Sequence, residues 1–189
     1  MNAKYLFCIY TDIEYKKHLG YFKKQRFYEQ ICEDPDIEII EWGADFHTDY
    51  RNLPTKTQEM MKWCSENKEY DYLIKCDDTI FNDKWSSYIS KLNEFKSINK
   101  KDYWGINYIG PHTEEVWKIY FDGHYDKNEI DYNLKFIKND IQFYEGKFYM
   151  VSRDLSIFIG GHEKFVKDYT KNIPGAEDLM VGYLAKLMV

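Results

Sequence analysis

The stretch Tyr70-Asp71-Tyr72-Leu73-Ile74-Lys75-Cys76-Asp77-Asp78-Thr79 is a short apolar strand that runs straight into two adjacent carboxylates. Such a pair is costly inside a packed core unless positive charge sits on it. In an open α/β sheet the carboxyl end of a strand opens onto a ligand crevice, so both acids would face a bound molecule and not a core. A divalent cation carrying a phosphorylated ligand is the guest that suits them.

The rest of the chain alternates β and α signals. Tyr5 to Tyr10 is a continuous apolar run, typical of a central parallel strand, and it ends at Thr11-Asp12. A polar, helix-like stretch follows from about Glu14 to Cys32, then a turn at Asp34-Pro35-Asp36 and a strand at Ile37-Glu38-Ile39-Ile40. From Pro54, suited to a first helical turn, Thr57, Met60, Met61 and Cys64 recur at helical spacing. Beyond Thr79 the pattern predicts a helix over Trp85 to Phe95, a strand at Tyr103-Trp104-Gly105-Ile106, and another at Phe148-Tyr149-Met150-Val151, followed by Ser152-Arg153-Asp154-Leu155. The last helix is the clearest: Ala176, Leu179, Met180, Tyr183, Leu184 and Leu187 form one apolar stripe, and its first turn carries Glu177 and Asp178. Between Asn107 and about Gln142 periodicity is weak and aromatics are many, as in the long irregular connections that are usually functional or mobile.

Composition narrows the function classes. At 189 residues the chain suits one domain, and 31% charged with 44% hydrophobic residues argues against disorder. A net charge of −6 offers no basic footprint, so no nucleic acid partner is expected. No apolar run reaches the ~18 residues of a membrane segment, and Met1-Asn2-Ala3-Lys4 leads into a strand and not a signal peptide, which predicts a soluble, cytoplasmic chain. Cys8, Cys32, Cys64 and Cys76 lack the spacing of a zinc or redox site and are expected as free thiols. Aromatic residues reach 19%, and Tyr and Trp suit sugar or base stacking, although most of them are expected to pack in the core.

Several separated blocks coincide with one family. Asp45-Phe46, Tyr50-Arg51-Asn52-Leu53 and Lys56-Thr57 resemble the "DF…YxNLTxKT" block of the inverting β-1,3-glycosyltransferases of family 31, the galactosyltransferase and fringe-like group. Trp63, then Tyr72-Leu73-Ile74-Lys75, Asp77-Asp78 and Phe81, resemble its strand and "DxD" block; Tyr103-Trp104-Gly105, Tyr149-Met150-Val151-Ser152 and Glu177-Asp178 with Gly182 follow in the family's order. The ordered set spans about residues 45 to 182 and is far more specific than any one block.

This resemblance implies an α/β, Rossmann-like GT-A fold, a mostly parallel central sheet flanked by helices. It implies a metal-dependent transfer of a sugar from a UDP-sugar, or another nucleotide sugar, to the hydroxyl of a glycan or glycoconjugate acceptor, with inversion. Asp78, with Asp77, would hold Mn²⁺ (or Mg²⁺). Asp178, beside Glu177, stands at the catalytic acid position of the "EDVxxG" block and would take the acceptor's proton; acids in a first turn also serve as dipole partners. Two departures stand out. Thr79 occupies the place of a third acid, so Cys76-Asp77-Asp78 is read as the triplet. The chain also stops at Val189, before the metal-binding His that relatives carry beyond this helix, as the N-terminal part of a longer protein would; His112, His124 and His162 are the other candidates.

Position supplies the secondary candidates. Thr11 and Asp12, at the end of the first strand, fall where a base or ribose would lie; either could instead cap the next helix. Lys56, and more weakly Arg26, would neutralise diphosphate. Tyr103 and Trp104 would line the donor sugar, and Trp117, Tyr120 and Phe121 the acceptor. A nucleotide-sugar or glycan binding module without turnover is the rival reading. A metal-dependent phosphotransferase or hydrolase ranks lower, because neither G-x-x-x-x-G-K nor G-x-G-x-x-G is present.

Overall fold

The computed structural model describes residues 4–79, 85–97, 101–109 and 141–189. Strand β1 (Tyr5–Tyr10) is buried along its whole length. It pairs in parallel with β2 (Ile37–Trp42) on one side and β3 (Tyr72–Asp77) on the other, so that Tyr10 lies beside both Trp42 and Asp77. The three carboxyl ends therefore reach the same edge.

The other half of the sheet departs from the mostly parallel arrangement expected. Strand β7 (Phe148–Ser152) runs antiparallel to β3, and β4 (Tyr103–Gly105) pairs antiparallel to β7, giving the order β2-β1-β3-β7-β4. A separate pair joins β5 (Tyr108–Ile109) to β6 (Phe143–Tyr144). The reversal has a functional consequence: β7 begins where β3 ends, Phe148 pairing with Cys76. The loop Glu145-Gly146-Lys147 thus arrives beside Asp77 and Asp78.

Strand alternation sorts the core into two layers. Leu6, Cys8, Tyr10 and Leu73 pack against α3 (Leu53–Asn67), α5 (Arg153–Gly161), α6 (Glu163–Asn172) and α7 (Glu177–Met188) through Met60, Met61, Leu155, Val166, Leu179 and Leu184. Tyr5, Phe7, Ile9, Ile74 and Cys76 pack against α1 (Lys16–Phe22), α2 (Arg26–Cys32) and α4 (Trp85–Ser97) through Leu19, Phe22, Phe27, Ile31, Leu92 and Phe95. The single helix expected over Glu14 to Cys32 is a 3₁₀ turn at Ile13–Tyr15 followed by α1 and α2. Phe22 and Phe27 are five residues apart, a spacing that one helix would turn onto different faces; the break at Lys23-Lys24-Gln25 lets both enter the core. All four cysteines are free thiols. No helix of the described residues is long and apolar enough to cross a membrane.

Candidate active site

Five segments converge at the carboxyl edge of the parallel strands and enclose a cavity of about 420 Å³. The end of β1 contributes Tyr10, Thr11 and Asp12; the end of β3 contributes Lys75, Asp77, Asp78 and Thr79. Helix α3 and the segment before it supply Lys56, His47, Thr48 and Tyr50, the loop before β7 supplies Glu145, Gly146 and Lys147, and the head of α7 supplies Glu177 and Asp178.

Lys75 is the hub of this arrangement. A lysine at mid-strand in a sheet covered on both faces must find acceptors, and only 1% of Lys75 is exposed. Its Nζ donates to Asp77 Oδ1 and Glu177 Oε1, each at 2.6 Å, and to the Gly146 carbonyl. An ammonium has three N–H donors, and all three are used. Burial alone would drive this lysine toward neutrality, but the two carboxylates outweigh it and hold the ammonium above its ordinary range. Glu177 is equally committed: its second oxygen accepts from Thr57 Oγ1 at 2.6 Å and from the Tyr149 hydroxyl at 3.2 Å.

The other carboxylates are less bound. Asp78 is buried and accepts from Thr11 Oγ1 at 2.5 Å. Burial raises its carboxyl above the usual range, while burial and the neighbouring Glu177 and Asp78 charges push Asp77 to about 6 despite Lys75. Asp178 accepts backbone hydrogen bonds from Leu179, at 2.8 Å, and from Gly146. Burial first, and the adjacent Glu177 charge second, push it to about 7. A carboxyl near neutrality in a cleft is suited to proton transfer.

The wall formed by residues 43–50 is latched by Asp12. Its carboxylate accepts from Glu14 N at 3.0 Å, His47 Nδ1 at 3.0 Å and Thr48 N at 2.7 Å. Burial works against ionisation there, but these bonds and Lys56 prevail and lower the Asp12 carboxyl, while the same contact raises His47. Lys56 donates to the Thr11 carbonyl and sits 4.5 Å from the centre of the Tyr10 ring; burial lowers its ammonium. Gly43 has a positive φ of 94°, and a Cβ there would lie 2.2 Å from the Thr11 carbonyl oxygen.

A family model described as galactosyltransferase matches residues 38–189, which include Asp77, Asp78, Glu177 and Asp178. The chain belongs to the galactosyltransferase family. Among proteins similar to it are two named UDP-GalNAc:beta-1,3-N-acetylgalactosaminyltransferase 2. The Danio rerio protein is 26% identical over 133 residues, 70% of this chain and 24% of that protein. The Mus musculus protein is 24% identical over 173 residues, 86% of this chain and 31% of that protein. The chain thus spans about a quarter to a third of the length of these curated relatives.

Within this galactosyltransferase-family chain, the structure brings Thr11, Asp12, Lys56, Asp77, Asp78, Glu177 and Asp178 to one cavity. Tyr103 and Trp104, expected to line the donor sugar, are not among the residues lining this cavity. The Tyr103 hydroxyl accepts from Tyr144 N at 3.0 Å, and its side chain lines a second cavity of about 620 Å³ with Tyr108 and Lys186. Trp104 is buried against Phe95. Arg26 opens α2 and does not line the site. His162 joins α5 to α6, its Nδ1 at 2.6 Å from the Phe158 carbonyl. His112, Trp117, Tyr120, Phe121 and His124 lie outside the described residues.

Sequence reasoning passed over Lys75, His47 and the Glu145-Gly146-Lys147 loop. Lys75 had a signal, a cation inside an otherwise apolar strand. The loop had none, because only the antiparallel direction of β7 carries it to the site.

Two carboxylate groups bear on a metal. Asp77 and Asp78 each commit one oxygen, to Lys75 and Thr11, and among the described residues the other oxygen of each has no protein partner. Both resist ionisation in this setting, a strain that a cation would relieve, so the donor set fits a hard divalent ion. Asp12, Glu14 and His47 also bring ligand atoms within 4.8 Å of one another. Both oxygens of Asp12 are already taken up by the latch.

Proposed function

We propose that this chain is the catalytic portion of a GT-A glycosyltransferase that moves a sugar from a UDP-sugar to the hydroxyl of a glycan or glycoconjugate acceptor, with inversion and in dependence on a divalent metal. The observation that carries this reading is the meeting of three carboxylates of different standing on one cavity. Asp77 and Asp78 close β3 with free oxygens, and Asp178 opens α7 with its carboxyl near neutrality. The parallel β2-β1-β3 unit, its helix-covered faces and the cavity at its carboxyl edge support a GT-A fold.

Asp77 and Asp78 would hold Mn²⁺ (or Mg²⁺), which when bound supplies the positive charge that a departing nucleoside diphosphate calls for. Thr11 and Asp12, at the end of β1, flank the nucleoside side of the cavity. Lys56 is tied to the Thr11 carbonyl, so it fastens the wall, while exposed Lys147 presents a cation at the rim. Asp178 accepts the proton of the acceptor hydroxyl as that oxygen forms its bond to the anomeric carbon. The bond from that carbon to the phosphate oxygen breaks on the opposite face, and the electron pair leaves with the diphosphate. One displacement inverts the centre. The relatives are named for UDP-GalNAc, which makes UDP-linked N-acetylhexosamines and hexoses the donors to try first.

Thermal shift with UDP-GalNAc, UDP-GlcNAc and UDP-Gal, each with and without Mn²⁺, tests the reading. One donor should stabilise the protein only with metal and be transferred to an acceptor, and Asp78→Asn should lose the metal-dependent part of the shift. Binding without transfer or donor hydrolysis would favour a non-catalytic module; indifference to every donor would overturn the proposal.

A further inference from the structure

Lys75 stands two residues before Asp77 and has no part in the proposed chemistry, yet it is among the most enclosed charges described in the molecule. Its Nζ ties three separate pieces of chain: Asp77 at the end of β3, the Gly146 carbonyl in the loop before β7, and Glu177 in the first turn of α7. The ammonium also lies over two aromatic faces, 4.4 Å from the centre of the Tyr10 ring and 5.6 Å from that of Tyr149. The last two of the three tied pieces are the ones that hold Asp178. Glu177 precedes it in the helix, and Gly146 bonds to it through the backbone. The fit is tight, since a Cβ on Gly146 would stand 2.8 Å from Glu177 Oε1 and 3.5 Å from the Asp178 Cβ.

We infer that Lys75 is a positioning residue for sugar transfer: its ammonium clasps the end of β3 to the head of α7 and so sets where Asp178 stands relative to Asp77 and Asp78. The inference rests on the glycosyl-transfer reading and adds to it. Lys75 touches no substrate in this scheme. It acts through Glu177 and Gly146 on Asp178, while Asp77 keeps an oxygen free for the cation side of the cavity. An apolar side chain of similar length fills the same space, but it leaves the Asp77 and Glu177 carboxylates facing each other without a cation. Glu177 then retreats, and Asp178 moves with it. Misplacement of a reacting group by about 1 Å costs on the order of 100-fold in rate.

The test compares the wild-type chain with Lys75→Met, Lys75→Arg, Glu177→Gln and the double variant Lys75→Met/Glu177→Gln, using the donor and metal that serve the wild type. Lys75→Met should lose about 100-fold in kcat while the donor KM stays within about threefold, because Asp77 keeps its oxygens for the cation side. A merely structural lysine would move neither constant selectively. Lys75→Arg, which restores a cation, should recover part of the rate. The double variant should be no slower than the worse single variant, since both substitutions break one clasp. It also removes one of the two uncompensated carboxylates and the repulsion between them, so it carries the test if Lys75→Met fails to fold. A folded Lys75→Met with kcat within threefold of wild type, or losses that multiply in the double variant, would overturn the inference with the transfer reading intact. A wild-type chain that transfers from no donor would overturn both.

Discussion

Asp178 gains its chemistry from what surrounds it. Burial and the neighbouring Glu177 charge raise its carboxyl to about 7 from an ordinary 3.8. As a base it works only when ionised, so kcat should rise as pH increases through about 7, a limb absent from any residual activity of Asp178→Asn. That variant should retain donor affinity and lose on the order of 10²–10⁴ in kcat. The stability sign follows from the same shift. Between about pH 4 and 7 the folded chain holds a proton at Asp178 that the unfolded chain has released, so this residue's contribution to stability falls as pH rises across that window and levels off above it. Asp178→Asn should therefore be at least as stable as wild type at pH 8, and the difference should shrink toward pH 4, as chemical denaturation at both pH values will show. The acids at 77, 78, 177 and 178 were legible in the sequence because each pair sits at a strand or helix end. The division of labour within the second pair was not: Glu177 spends both oxygens on Lys75, Thr57 and Tyr149, all distant in sequence.

Elements divide along the same line. The β1, β3 and α7 patterns are strong because their apolar residues are nearly uninterrupted or fall on a single stripe. Helices α5 and α6 escaped notice, although in α6 Phe165 and the buried Val166 and Tyr169 share one face, with Lys164, Lys167, Asp168 and Lys171 turned away from it; at ten residues the stripe is short. A local stop-and-start signal did exist at Ser152, whose side chain caps α5 by accepting from Leu155 N at 3.2 Å. Ser152→Ala should cost about 0.5–2 kcal/mol of unfolding free energy in urea without altering kcat. The direction of β7 had no such signal. A buried antiparallel strand and a buried parallel one both read as apolar runs, and the choice is made by connections far along the chain. Gly43 is the element-scale test of the cavity wall: Gly43→Ala forces a side chain onto the Thr11 carbonyl and Lys56 and should weaken donor binding. Titration calorimetry against wild type measures it.

On the scale of the molecule, two helical layers grip a sheet whose three parallel strands end together, and the reversed β7 brings a loop back to that edge. The core on the α7 side is continuous from Met60 through Tyr149 to Leu184. Leu184→Ala, at a buried position that does not line the cavity, should cost about 2–5 kcal/mol of stability while leaving the donor KM of the folded protein unchanged. The proposed glycosyl transfer turns on where a divalent cation settles. Anomalous diffraction from crystals grown with Mn²⁺ and UDP decides it. One manganese peak beside Asp77 and Asp78, next to the diphosphate, is expected; a peak at Asp12, Glu14 and His47, or bound UDP with no metal beside Asp78, would contradict the proposed function.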